Sequence, residues 1–395
     1  MVFFLLLFVY CSLSVVYLFV LSLWGRFFYK GKKWSPSEVP TKRIAILVPA
    51  YKEDNVILST AENLLRLDYP RELYDIYIIA DSFRPETITE LNKLSVSVLE
   101  VSFENSTKTK ALNEAFRRID KGYDVALICD GDNMLAKNFL KKVNDAFVAG
   151  AKAVQGRRVA KNLDSSFAIL DACSEAINNH IFRKGTNAMG LSSAVCGSGM
   201  AFEFGMVKEI LSEIDAVGGF DKVLQLKIVK QRVFIYYLED TIAYDEKVDS
   251  PVAFSQQRKR WVSSQFIYAR RFFFPAFREI FKGNISYFNL AVANNCLLPK
   301  AFLLVLLPGL AVVGFWLHSI LGIAASGVFL LYIFSLFLAL PPVLINANLW
   351  QAILSLPRAV MLMFGALFQF RKADQTFIHT PHSKTGITNQ GERGF

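Results

Sequence analysis

The chain has 395 residues, of which 53% are hydrophobic, and a formal net charge of +10. That length holds one catalytic domain of about 250 residues plus membrane segments. The basic excess argues against nucleic acid as a partner, because Lys and Arg cluster at 26–33, 258–260, 270–271 and 371–372 among Phe, Tyr and Trp, the pattern of a surface lying on anionic lipid.

From 3 to 24 there is no charge, enough at about 1.5 Å per residue to cross a hydrocarbon core of roughly 30 Å. No basic stretch precedes this run and no small-residue cleavage site follows it, so 1–25 is expected to be an anchor rather than a signal peptide. Arg26, Lys30, Lys32 and Lys33 come next, and the positive-inside rule puts residue 26 onward in the cytoplasm.

Short buried strands are expected at 44–49, 76–80, 96–101, 125–129 and 151–154, with helices near 54–67, 86–94, 108–118 and 137–148. This alternation predicts an α/β fold, a doubly wound and mostly parallel sheet whose strand C-termini line one crevice. The first loop there is Pro49-Ala50-Tyr51-Lys52-Glu53, the second Ala80-Asp81-Ser82 and the fourth Cys129-Asp130-Gly131-Asp132-Asn133. Two carboxylates one residue apart at a strand end suit a hard cation bridging a diphosphate. Lys108-Thr109-Lys110 opens a helix, where a lysine and free backbone amides can meet phosphate. No glycine-rich P-loop or G-x-G-x-x-G accompanies them, which disfavours an NTPase or a dinucleotide enzyme. The five cysteines, Cys11, Cys129, Cys173, Cys196 and Cys296, show no metal or disulfide spacing, consistent with a reducing compartment.

Residues 253–281 mix Arg with Phe, Tyr and Trp, as an interfacial amphipathic helix does. Segments 297–317 and 321–340 have spanning length, whereas 359–370 is short for a span. Arg371-Lys372 favours a cytoplasmic tail, so an odd number of crossings, three, is expected.

Six motifs in order, Pro49-Ala50-Tyr51-Lys52-Glu53, Ala80-Asp81-Ser82, Lys110-Ala111-Leu112-Asn113, Asp130-Gly131-Asp132, Cys196-Gly197-Ser198-Gly199-Met200 and Gln257-Arg258-Lys259-Arg260-Trp261, resemble those of membrane-embedded family 2 glycosyltransferases. That group includes cellulose, chitin and hyaluronan synthases and ceramide glucosyltransferases. The resemblance covers roughly 40–270 and implies a GT-A domain. It also implies an inverting transfer from a UDP-sugar, with Mg²⁺ or Mn²⁺, to a lipid or glycan acceptor at the plasma (inner) membrane.

The family pattern assigns Asp132 and Asp130 to the metal. Tyr51 would stack on uracil, Glu53 and Asp81 would bond the base and ribose, and Lys110 would face phosphate. Gln257, Arg260 and Trp261 would serve the diphosphate and the acceptor. The family's acidic pair opens a helix after the acceptor loop and its aspartate takes the proton. Here that stretch reads Gly218-Gly219-Phe220-Asp221-Lys222, so the glutamate is replaced by Phe220 and Asp221 is the expected base. Glu239 and Asp240 read as structural. Phe377-Ile378-His379-Thr380-Pro381-His382 resembles tail motifs that touch the donor site in related synthases.

The expected division is an anchor at 1–25, a catalytic domain at 40–250, interfacial helices at 251–290, membrane segments at 297–370 and a cytoplasmic tail at 371–395. The alternatives are a catalytically inactive scaffold, suggested by Phe220, and a transporter, for which the spans carry few ionisable residues beyond Lys300, His318 and Arg358.

Overall fold

Strand β1 (Ile44–Tyr51) reads Ile-Ala-Ile-Leu-Val-Pro-Ala-Tyr and is buried along its length except at Tyr51. Side chains alternate faces along a strand. Ile44, Ile46 and Val48 therefore pack with Ile57, Leu64 and Leu140 on one side, while Ala45 and Leu47 pack with Leu112, Phe116 and Val207 on the other. An apolar residue at every position is what a strand covered by helices on both faces requires.

The computed structural model describes residues 1–368, apart from 33, 38, 120–121 and 216–217, together with 382–388. In chain order the other strands are β2 (Tyr74–Asp81), β3 (Ser97–Val101), β4 (Val125–Ile128), β5 (Met134–Leu135), β6 (Ala153–Ala160), β7 (Met200–Glu203) and β8 (Ile235–Asp245). One sheet results, with the order β3-β2-β1-β4-β7-β6-β8-β5. The first four strands in that order are parallel, as expected. Beyond them β7 runs antiparallel to both β4 and β6, so the far half of the sheet is mixed. The strand expected at 151–154 is β6, which starts at Ala153 and pairs in parallel only with β8.

Among the described residues, three helices are long and apolar enough to cross a membrane: Val2–Phe27, Lys300–Leu317 and Ser319–Ala339. Val15, Leu18 and Leu21 of the first pack with Leu303, Leu307 and Tyr332 of the others. The first helix also presses on the π-helix Asn179–Gly185, where a Cβ at Gly185 would collide with the carbonyl of Leu21. Leu356–Phe368, with 13 residues, is short for a span. The helix Pro251–Phe281 turns Phe254, Arg258 and Tyr268 inward and leaves Phe266, Phe274 and Phe281 exposed. Arg371-Lys372 and the tail residues 377–381 lie outside the described residues.

Candidate active site

The parallel register sets Tyr51 beside Asp81, both at strand C-termini. Lys52 and Ser82, the next residue on each strand, take φ of +55° and +59°, a left-handed conformation uncommon outside glycine and frequent at functional sites. The Lys52 amide donates to the Asp81 carbonyl at 3.1 Å, tying the two loops together. Asp81 is 2% exposed, and its Oδ1 accepts from the Ser82 hydroxyl at 2.9 Å. Glu53 is buried and accepts from His382 Nδ1 at 2.8 Å. Burial opposes a charge on His382, but Asp132 and Glu53 outweigh it and push its pKa up to about 10. Of the tail motif, His382 is the described residue, and it sits at this end of the site.

Past β4 the chain turns through Asp130-Gly131-Asp132. Thr60 Oγ1 donates to the Gly131 carbonyl at 2.8 Å, and the Asp130 amide donates to Ser198 Oγ at 3.0 Å, holding the turn against two neighbouring elements. Carboxylate oxygens of Asp130, Asp132 and Asp245 lie within 4.8 Å of one another. Asp132 is 2% exposed, and its Oδ2 accepts from the Glu246 amide at 3.0 Å. Burial pushes its pKa up to about 6; His382 opposes the rise, and Asp245 and Asp130 add to it. Three convergent carboxylates, one buried and mutually repelling, form an all-oxygen donor set that fits Mg²⁺ or Mn²⁺. Asp245, at the end of β8, was not anticipated from sequence.

Lys110 does not reach the site. Its side chain is exposed and its amine donates to the Asn105 carbonyl at 2.9 Å. Two residues along a helix turns the side chain through about 200°. Lys108, the first residue of the helix Lys108–Arg118, occupies the expected place instead: it pairs with Asp130 and donates to the Gly197 carbonyl at 2.7 Å.

Asp221 lies in the first turn of the helix Phe220–Lys230. Burial raises its pKa above the usual carboxylate range, against the pull of Lys222 and Lys108. Gly197 has φ +84°, and a Cβ there would stand 3.9 Å from Asp221 Oδ2. Phe220, where the family carries glutamate, lies under the Lys108 amine at 5.4 Å from its ring centroid, an attraction that needs no negative charge.

Tyr51, Glu53, Asp81, Asp130 and Asp132 line a single cavity of about 1020 Å³. Asp221, Gln257, Arg260 and Trp261 line the same cavity further along. Burial lowers the Arg260 pKa. Arg258, in the same motif, is buried, pairs with Asp171 and stacks on Trp261 at 4.2 Å from the ring centroid. Glu239 pairs with Lys184 at 2.7 Å, as a structural residue would.

Behind the acids, Glu175 is held by Arg158 at 2.8 Å and Arg183 at 3.0 Å, and Arg158 also reaches Asp245 at 3.7 Å. All are buried or nearly so. Burial works against the Glu175 charge, yet the two arginines hold its pKa well below the ordinary range. Glu175→Ala is expected to lower stability by about 3–5 kcal/mol by leaving the buried Arg183 without a carboxylate and Arg158 with Asp245 alone. A loss under about 1 kcal/mol in chemical denaturation would contradict this. Because the folded pKa is depressed, the contribution is fully present above the unfolded value of about 4.3 and is lost progressively as pH falls from there through the depressed folded value.

The family model described as glycosyltransferase-like family 2 matches residues 40–264. The chain belongs to glycosyltransferase family 2. Proteins named β-monoglucosyldiacylglycerol synthase from Synechocystis sp. and Nostoc sp. are 24% and 27% identical over 241 and 232 residues, covering 57% and 55% of this chain and 48% of each of theirs. The chain thus spans about half the length of these curated relatives. A probable glycosyltransferase of Bacillus subtilis, YdaM, is 22% identical over 344 residues, 80% of this chain and 77% of its own. Among solved structures, a mannosyltransferase of Pyrobaculum calidifontis in complex with GDP-mannose and Mn²⁺ aligns over 92% of this chain and 100% of its own, with a TM-score of 0.52 and 15% identity. The fold of this family 2 glycosyltransferase is therefore GT-A.

Proposed function

We propose that this family 2 glycosyltransferase moves a sugar from a UDP-sugar to a membrane lipid, with inversion, forming a β-glycosidic bond. One observation carries the reading. The cavity that begins at Tyr51 and the three carboxylates continues past Asp221 to apolar walls supplied by the membrane helices, among them Leu304, Leu336 and Phe337, and by Trp350 and Met363. A soluble donor enters the polar end and an acyl chain fits the other. Such walls suit a hydrocarbon better than a hydrated glycan. The relatives named as synthases of a glucosylated diacylglycerol support the same class.

In this reading Tyr51, Glu53 and Asp81 hold the nucleotide. Asp221 accepts the proton of the acceptor hydroxyl as its oxygen bonds to the sugar C1, and the C1–O bond to UDP breaks with the electron pair leaving on UDP. Lys108 and Arg260 offset the charge that grows on the diphosphate. Asp130, Asp132 and Asp245 would hold Mg²⁺ or Mn²⁺, which when bound neutralises the diphosphate. The anchor 1–25, catalytic domain 40–250, interfacial segment 251–290, membrane segments 297–370 and tail 371–395 would then place the site at the cytoplasmic face of the plasma (inner) membrane. The basic residues flanking the apolar helices support that orientation.

The test is the product's chemistry. Label from a UDP-sugar is expected in an organic-soluble product whose anomeric proton reports a β-linkage by NMR. An α-linkage would overturn inversion, and label in a water-soluble polymer would overturn the lipid acceptor. Trp261 is 37% exposed and lines the cavity. Trp261→Ala is expected to raise the KM for the lipid by about tenfold while the KM for the UDP-sugar stays within about twofold. Equal shifts in both would remove Trp261 from the acceptor site.

A further inference from the structure

Four of the carboxylates lining the cavity are matched by cations: Asp130 by Lys108, Asp245 by Lys247, Asp171 by Arg258, and Glu175 by Arg158 and Arg183. Two lysines lining the same cavity are not matched in this way. The Lys222 amine donates to Asn295 Oδ1 at 2.9 Å and the Lys300 amine to Asn178 Oδ1. Both partners are neutral amides, and neither lysine forms an ion pair among the described residues. Burial pushes the Lys222 pKa down to about 8 despite the charge of its neighbour Asp221. In the reaction proposed above, Asp221 becomes neutral as it takes the proton, and Lys222 then loses that compensation.

Their position adds a second observation. Lys300 is the first residue of the spanning helix Lys300–Leu317, and Asn295, which holds Lys222, lies five residues before it. Both amines therefore stand where the chain enters the membrane, the depth of lipid headgroups. The helix begins after Pro299 without a side-chain cap, so its positive end faces the same region. Two half-buried ammonium groups that face one cavity, Lys300 with no ion pair among the described residues and Lys222 with the charge of Asp221 beside it, suit an anion, and phosphate is the anion that membrane lipids carry at this depth.

We infer that the acceptor is a lipid whose headgroup bears a phosphate, held by Lys222 and Lys300 beside Asp221. This rests on the lipid-acceptor reading and narrows it. A neutral diacylglycerol would leave both amines as they are.

The experiment uses the full chain in phosphatidylcholine nanodiscs doped separately with dioleoylglycerol or dioleoylphosphatidylglycerol, each assayed for sugar transfer. A phosphate-bearing lipid is expected to be the preferred acceptor. Lys300→Gln and Lys222→Gln are expected to raise its KM by about tenfold or more, with the donor KM within about twofold and Lys300→Arg restoring most of the loss. UDP binding by each variant confirms that it folds. A preference for dioleoylglycerol overturns the inference and leaves the lipid reading standing. So does a preferred phosphate lipid whose KM ignores both lysines. A rise in the donor KM alone would assign the amines to the donor diphosphate and also overturn it. Transfer to no lipid at all overturns both readings.

Discussion

Asp132→Ala is expected to abolish metal-dependent donor binding and to lower turnover by about a thousandfold or more. Asp132 is the buried member of the three-carboxylate cluster, anchored by the Glu246 amide at 3.0 Å. Its loss would leave Asp130, which pairs with Lys108, and Asp245, which pairs with Lys247, as a weaker donor set. A metal bridging a diphosphate supplies several kcal/mol of charge stabilisation, and roughly 4 kcal/mol corresponds to that thousandfold. Calorimetric titration with Mn²⁺ and UDP reads the binding directly. Mn²⁺-dependent UDP binding at wild-type strength, with turnover within about tenfold, would take the metal away from Asp132.

Asp221→Asn is expected to separate binding from chemistry. UDP should bind as before, because Asp221 lies beyond Gly197 from the acids. The kcat should fall by about a hundredfold to ten-thousandfold, the range for loss of a general base. The pH profile adds an independent sign. A base must be ionised to act, and burial raises the Asp221 pKa above the ordinary carboxylate range. The wild-type rate should therefore fall as pH drops through a value above the reference of about 3.9, and this acid limb should be missing from the residual activity of the variant. A variant at near wild-type rate, or one that keeps the same acid limb, would assign the proton to another group.

The parts of this site that could be read from sequence are those where one local pattern carries the whole signal. The run Val125-Ala126-Leu127-Ile128 is apolar at every position, and a buried strand followed at once by Asp130 and Asp132 places both acids at the sheet edge. Asp221 was placed by the resemblance to the family's acidic pair rather than by a local pattern, and it lines the same cavity. Asp245 was not legible. Its strand β8 runs for 11 residues through Glu239 and Asp240, and those two charges break the apolar pattern before the strand ends. The signal that was available is the same one as at Asp132, an acid at the C-terminal end of a strand.

Lys110 and Lys108 differ for a geometric reason. Both stand in the first turn of one helix, and composition does not distinguish them; only the start at Lys108, fixed by the Thr107 side chain accepting from the Lys110 amide, decides which one faces inward. Strand β7 was missed because its four residues are too short to show a period and follow a glycine-rich loop. Its insertion between β4 and β6, antiparallel to both, is what makes that half of the sheet mixed. The continuity of the cavity into the long apolar helices lies in tertiary packing alone, since residues such as Leu18 and Phe337 share it from opposite ends of the chain.

The most direct test of lipid transfer is turnover by the full protein in nanodiscs, with Mn²⁺ or Mg²⁺, across a panel of nucleotide sugars including GDP-mannose, following release of the nucleotide and the size of the product. The expected result is release from one UDP-sugar, with a product of one lipid plus one or a few sugars, abolished by EDTA. A high-molecular-weight polymer, or nucleotide binding with no release for any donor and lipid, would contradict it.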